Sequence, residues 1–274
     1  MKKRWWTVAM AGVLAAIGAW AQGSGAAEAG GEGDEEYVEI PEEVLRAEVG
    51  DRGAAEALMA RVREGVPRVP LEMHAEVQVL NKYGKRVGTW EAEASLKPDR
   101  ERGGRKLRYE TGEGAMEVWL PEGAGEGAVY EWQGEGQGPG LGDGVGGADF
   151  TWEELGFGFF WWTNPRITGV EKLRHRWNCQ VVELDGPKGE TLRLWVAPSW
   201  GAVVQGELAR GGTVEKRFEV ESVTKVRKVY MLSEMTVRNA ATGGRSRLKL
   251  GNLRMVAPDY TEEEWKAFEE PVRW

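Results

Sequence analysis

The chain is poor in the residues from which most chemical sites are built. It has one Cys and two His among 274 residues. A lone Cys closes no disulfide within the chain and holds no zinc by itself. His74 and His175 leave little for imidazole catalysis or His-based metal binding, and both fall at polar positions of strand-like stretches, where solvation explains them. Positive charge is also short: 36 Lys and Arg face 44 Asp and Glu, for a net charge of −8. Phosphate contacts need clustered Lys and Arg, so a nucleic-acid binder is excluded. No G-x-S-x-G elbow, H-E-x-x-H or C-x-x-C motif occurs. Nothing in the chain demands a metal or a cofactor.

What is present in excess is Trp, with 14 against 6 Tyr and 6 Phe, and Gly, with 39. The start of the chain is an address. Met1 to Arg4 is basic, Trp5 to Ala19 is mostly apolar, and Ala19-Trp20-Ala21 is an A-x-A cleavage site. Residues 1–21 therefore read as a secretory signal peptide cut before Gln22, because the apolar run is short for an anchor that stays. No Cys follows that could carry a lipid. Cleavage takes Lys2, Lys3 and Arg4 away, so the exported chain is more acidic still. Residues 22–40, mostly Gly, Ala and acids, read as a disordered linker. Residues 41–274 then form a single domain.

Two periodicities organise that domain. From Asp51, the residues Ala55, Leu58, Met59 and Val62 recur at i, i+3, i+4 and i+7, the apolar face of a helix that Gly65 and Pro67 end. After Pro70 the period becomes two. Leu71, Met73, Ala75, Val77 and Val79 alternate with polar residues, the pattern of a half-buried strand. A turn at Asn81 to Gly84 leads to strands expected at Val87–Leu96, Lys106–Thr111, Ala115–Leu120 and Ala128–Gln133. Gly134 to Gly147 has no apolar period and reads as a mobile surface loop. It lacks the Lys-Ser/Thr of a phosphate loop. Asp149 is placed to cap a short helix carrying Trp152 and Leu155. Further strands are expected at Val170–Trp177, Gln180–Leu184, Thr191–Ala197, Ala202–Leu208, Val214–Val223, Val229–Arg238 and Arg247–Val256. Cys179, between two of them, reads as a small buried hydrophobe. Apolar parity changes across Gly251-Asn252, which predicts a β-bulge. A short acidic helix is expected over Tyr260 to Glu270.

These elements predict an α+β, mainly β fold. A strongly curved antiparallel sheet forms a half-open barrel, with helices covering its concave face. The basic residues of Arg100 to Arg108 and Arg217 to Arg238 are interleaved with acids and read as solvated strand faces. A second reading makes them a basic rim for anionic headgroups or an acidic partner. Asp149, Glu153 and Glu154 are the first suspects for a glycosidase-type carboxylate pair, but capping and surface roles are the blander reading of them.

Phe157, Phe159, Phe160, Trp161 and Trp162 crowd one stretch next to Gly156 and Gly158. They form a lid over an apolar cavity, an exposed patch, or ordinary core. The preceding Asp149-Phe-Thr-Trp-Glu-Glu-Leu155 resembles the D-F-T/S-x-E-D-L segment of the LolA-like outer-membrane lipoprotein-sorting family. Downstream, Arg174 to Leu184, Leu192 to Val196, Gly212 to Phe218 and Met235 to Leu250 are similar to successive strands of that family. The resemblance spans roughly Leu71 to Phe268. It implies a half-open barrel with a helical lid, export to the periplasm or cell envelope, and an apolar cavity for lipid or lipoprotein acyl chains. It also implies partners on the two membranes, an inner-membrane transporter or an outer-membrane acceptor. It transfers no catalytic residue, and no enzyme activity is expected. Leu58, Met59, Val62, Trp152, Leu155, Phe157, Phe159, Phe160, Trp161 and Trp162 are the candidate ligand-binding residues. The alternative is a non-catalytic envelope module that binds a glycan or a protein partner through surface aromatic residues.

Overall fold

The computed structural model describes residues 47–99, 101–173, 177–198, 201–226, 229–256 and 261. The expected signal peptide and linker, His175 and the expected helix over Tyr260–Glu270 lie outside these residues.

Helix α1 (Arg52–Glu64) forms where the apolar stripe predicts it. Asp51 caps it, accepting from the Ala54 N–H at 2.9 Å, and Gly65 ends it by donating back to Arg61 and Arg63 carbonyls. Ala55, Leu58, Met59 and Val62 are completely buried. The helix packs chiefly on β6 (Thr163–Leu173). The residues leading into it hold that strand's edge. Gly50 N–H donates to the Ile167 carbonyl at 2.7 Å, and Ile167 N–H donates to Asp51.

Strands β1 (Leu71–Leu80), β2 (Arg86–Pro98), β3 (Arg105–Thr111), β4 (Gly114–Leu120) and β5 (Val129–Gly134) make one antiparallel meander. Strands β6, β7 (Trp177–Asp185), β8 (Glu190–Ala197), β9 (Ala202–Arg210), β10 (Thr213–Val226), β11 (Val229–Asn239) and β12 (Arg245–Met255) make a second. Pairing of β1 with β12 joins the two into one sheet of order β5-β4-β3-β2-β1-β12-β11-β10-β9-β8-β7-β6. The sheet is not closed, and β5 and β6 are its edges. The expected bulge is present. Register shifts opposite Gly251, between Glu72 and His74, and Asn252 takes a left-handed conformation at φ 52°. The turn after β1 also forms as read, with Asn81 accepting from the Tyr83 and Lys85 N–H groups.

The strand expected over Val170–Trp177 is corrected. β6 ends at Leu173 and begins seven residues earlier than expected, at Thr163. Pro165 obscured its start. Proline removes a ladder donor and is tolerated in an edge strand, which β6 is.

One face of the sheet carries nearly all of the core. Leu71, Met73, Ala75 and Val77 of β1, Leu96 of β2, Val118 of β4, Leu192 and Leu194 of β8, and Val237 and Leu248 of β11 and β12 share a single cluster with the α1 stripe. The opposite face carries carboxylate–guanidinium pairs such as Glu72–Arg254 and Glu117–Arg108. It also holds a second, small cluster of Cys179, Val181, Trp195, Ala197 and Val204. Burial, then the nearby Glu171 carboxylate, pushes the Cys179 thiol up to about 12, so it behaves as the expected hydrophobe.

Candidate ligand site under an aromatic strap

Because β5 and β6 lie at opposite edges, the chain between them must travel the width of the sheet. This connection, residues 135–162, is a strap. Phe150, Trp152, Leu155, Phe157, Phe159, Phe160 and Trp161 of the strap are all buried in the main cluster. It is therefore not an exposed aromatic patch.

The strap is fastened at many points. Asp149 N–H donates to the Ser246 hydroxyl at 2.9 Å, and that hydroxyl donates to Asp149 Oδ2. The cap of the next helix, α2 (Trp152–Leu155), is Thr151 rather than the expected Asp149. Thr151 and Glu154 form a reciprocal capping box, which leaves Asp149 free to tie the strap to β12. Lys216 of β10 donates to Glu154 Oε1 at 2.8 Å and to the Asp149 carbonyl at 2.7 Å. Glu154 is buried, and burial raises its pKa, while Lys216 and Thr151 oppose the rise. Glu153 accepts from the Trp162 indole at 3.0 Å. The suspected carboxylate pair is thus occupied in holding the strap.

On the other side, Tyr109 donates to the Leu155 carbonyl at 2.9 Å and Tyr130 to the Glu153 carbonyl at 3.1 Å. Trp90, Tyr109 and Trp152 meet as an aromatic trio, with Trp90 and Trp152 edge to face at 5.6 Å. The Gly-rich stretch expected to be mobile begins this anchored path. Gly146 takes φ +58° with its Cα against the Trp90 ring, where a Cβ would lie 2.4 Å from the Trp90 Cβ. Gly158 sits against the Tyr130 hydroxyl, 2.2 Å from where its Cβ would be. These glycines let backbone rest directly on aromatic rings.

Arginine fixes the far end. Arg63 of α1 donates to the Phe160 carbonyl at 3.1 Å, and Arg105 of β3 donates to the Arg63 carbonyl at 3.4 Å. Arg105 is only 2% exposed. Burial, then the neighbouring Arg68, lowers its pKa to about 10. Sequence reading missed both residues, since an Arg in an amphipathic stretch carries no sign of burial.

Between the anchors, Phe157 has φ +55°, a left-handed conformation that is costly for a bulky side chain. Phe157 stacks on Phe160 with rings 7° from parallel, and Phe159 packs on Phe218 of β10. Beneath these rings lies a cavity of about 30 Å³. Its walls are Phe157, Phe159 and Phe160 from the strap and Leu194, Phe218, Val220, Leu232 and Met235 from β8, β10 and β11. Gln205 is the one polar side chain on it.

The ten candidate residues divide accordingly. Phe157, Phe159 and Phe160 line the cavity. Leu58, Met59, Val62, Trp152, Leu155 and Trp161 lie in the surrounding core, and Trp162 is half-buried. The cavity walls on β8 to β11 went unnoticed, because alternating apolar residues on a strand look the same under a cavity as under packed core. Among the described residues no helix is long and apolar enough to cross a membrane, and no cluster of His, Cys, Asp and Glu could hold a metal.

No protein-family model matches the chain, and no curated protein matches it. Solved structures do. A DUF1329 family protein from Desulfovibrio piger superposes with a TM-score of 0.62 at 14% identity, over 80% of this chain and 97% of its own. A putative outer membrane lipoprotein-sorting protein domain from Vibrio parahaemolyticus does so with a TM-score of 0.57 at 14% identity, over 80% of this chain and 100% of its own. Identity this low speaks for architecture alone. Over four-fifths of the chain, this protein therefore shares its fold with these two structures.

Proposed function

We propose that the protein is an exported, non-catalytic carrier in the cell envelope that shields lipid or lipoprotein acyl chains against the apolar face of its sheet. In this reading residues 1–21 are a leader, residues 22–40 a linker, and the rest a half-open barrel whose concave face α1 and the strap cover. The observation that carries it is the apolar cavity beneath the strap, walled by three Phe rings that only the strap supplies. The likeness to a lipoprotein-sorting domain supports the same reading.

The cavity is small in this conformation. About 30 Å³ holds a water or two, whereas ligand sites run to roughly 300–1,000 Å³. An acyl chain enters by taking the place of Phe157, Phe159 and Phe160. Gly156 and Gly158 flank Phe157, and its left-handed backbone is relaxed when the segment moves. The chain then replaces one apolar lining with another, so no chemistry is required. Transfer to an acceptor is the reverse exchange. Buried rings offer no platform for a glycan, so the carrier reading is preferred to the surface-aromatic module.

Lipid extraction and native mass spectrometry of the protein recovered from cells test the proposal, together with titration of a fluorescent fatty-acyl probe. Co-purifying lipid or saturable probe binding is expected. Failure of both overturns the proposal.

A further inference from the structure

Three arginines are buried where α1 ends, and their hydrogen bonds do not account for them. Arg61 is 9% exposed, and Arg63 and Arg105 less. Arg63 donates to the Phe160 carbonyl, and Arg105 Nη1 to the Arg63 carbonyl. Cations suit the C-terminus of a helix, which explains Arg105 on the Arg63 carbonyl. It does not explain Arg61 Nη1 and Arg105 Nε. Both atoms are buried, and neither has a hydrogen-bond partner among the described residues. An unpaired donor on a buried charged group is costly, so each of these calls for an acceptor.

The charge around them is uneven. Glu64 lies within electrostatic reach of Arg61, Arg63, Arg105 and the exposed Arg68. Burial pushes the Glu64 carboxyl up, and the four arginines oppose the rise. Two further carboxylates act on the cluster and both are exposed: Glu56, 3.7 Å from Arg63, and Glu122, near Arg105. Four guanidiniums thus face three carboxylates in a chain whose net charge is −8.

The cluster adjoins the cavity on two sides. Phe160, whose carbonyl Arg63 holds, is one wall. The turn between β8 and β9 rests on Arg61, where a Cβ on Gly201 would lie 3.2 Å from the Arg61 Cβ. Val203, two residues on, is another wall. The cluster also reaches the surface, through half-buried Glu64 and exposed Arg68.

We infer that this arginine cluster receives the anionic head, carboxylate or phosphate, of the acyl ligand that the cavity admits. The inference rests on the carrier reading and adds the class of ligand, an acid in place of a neutral ester or alcohol. Lifting Phe160 to admit a chain takes its carbonyl away from Arg63 and leaves a third buried guanidinium in need of an acceptor. An anionic head arriving with the chain brings several acceptor oxygens at once, and charge-assisted bonds to guanidinium are the strong ones. The head then sits at the margin of the protein and the chain beneath the strap.

Isothermal titration of the full chain, recovered from cells and stripped of lipid, tests this with palmitate, hexadecyl phosphate and hexadecanol, which share one tail length. At least one of the two acids is expected to bind on the order of 10- to 100-fold more tightly than hexadecanol. The tighter of the two tells carboxylate from phosphate. In Arg61→Met and in Arg105→Met the preference for the acid falls toward unity. It is a ratio within each variant, so altered folding or a looser strap, which affects every tail alike, does not move it. A parent that binds all three ligands equally overturns the inference and leaves the carrier standing, and so does a preference that both variants keep. Acetate or inorganic phosphate bound as tightly as the lipid acids would make this a site for free anions and overturns the assignment to a lipid head. Binding of none of the three overturns the carrier reading and the inference with it.

Discussion

Glu154 is a carboxylate in a place where burial favours its neutral form. Burial raises its pKa, and the Lys216 ammonium is the strongest influence against that rise. The folded-state value still lies above the ordinary one. Stability from this group is therefore complete below the ordinary carboxylate range and is lost as pH climbs through the raised value. Lys216→Met removes the opposing cation and leaves the carboxylate buried among apolar strap residues. We expect a loss of about 3 kcal/mol near pH 8, the scale for breaking a buried pair from one side. Most of that loss should return near pH 4.5, where Glu154 takes up a proton and needs no cation. Urea unfolding of variant and parent at the two pH values measures this. An equal loss at both would mean that Lys216 acts through its bond to the Asp149 carbonyl instead. Sequence reading singled out Glu154 for acid–base chemistry and could not tell this role from that one. A helix carboxylate's partner on a strand 62 residues away leaves no mark in the sequence.

The strap is the element whose behaviour composition misrepresents. Glycine density over 134–147 reads as mobility, yet the same residue type marks places where backbone must touch a ring. The distinction lies in what each glycine faces. A Cβ on Gly158 would fall 2.2 Å from the Tyr130 hydroxyl, which donates to the Glu153 carbonyl and so cannot swing away freely. A Cβ on Gly142 would meet nothing within 4 Å. Gly158→Val should cost about 2–3 kcal/mol through overpacking, while Gly142→Ala should stay within about 0.5 kcal/mol of the parent. Thermal unfolding of the pair decides it, and similar losses for both would sink this account of the strap. Strands and α1 were legible because their periods are local: Ala55 to Val62 repeat at helical spacing, and Leu71 to Val79 alternate. The bulge at Asn252 was legible for the same reason, as a break in parity. What stayed hidden was long-range. Nothing in the sequence says that β1 meets β12, and without that pairing the two edges, the strap between them and the cavity beneath it cannot be placed.

At the scale of the whole molecule, the open sheet and its strap set a threshold for what can bind. The apolar face is not empty; the strap fills it nearly completely. A ligand therefore competes with the protein's own rings. Fully exposing a Phe costs about 1.5–3 kcal/mol, so displacing Phe157, Phe159 and Phe160 costs roughly 5–9 kcal/mol. Each methylene buried in their place returns about 0.8 kcal/mol. The two balance at about six to eleven methylenes, and only chains beyond that range bind with a clear surplus. Octanoate should leave the protein unbound at any usable concentration, while palmitate should bind, raise the unfolding temperature, and expose the displaced rings. Isothermal titration across even-numbered chains from C8 to C18 reads the threshold directly, as an onset near C10–C12 followed by a steady gain per added pair of carbons. Weakening the strap's hold should move that onset. Lys216→Met frees the α2 end of the strap and lowers the cost of lifting the rings, so shorter chains should begin to bind. If affinity instead grew smoothly from the shortest chain, with no onset and no shift in the variant, the ligand would be entering a pre-existing space. The strap would then be a wall of the site and not its competitor.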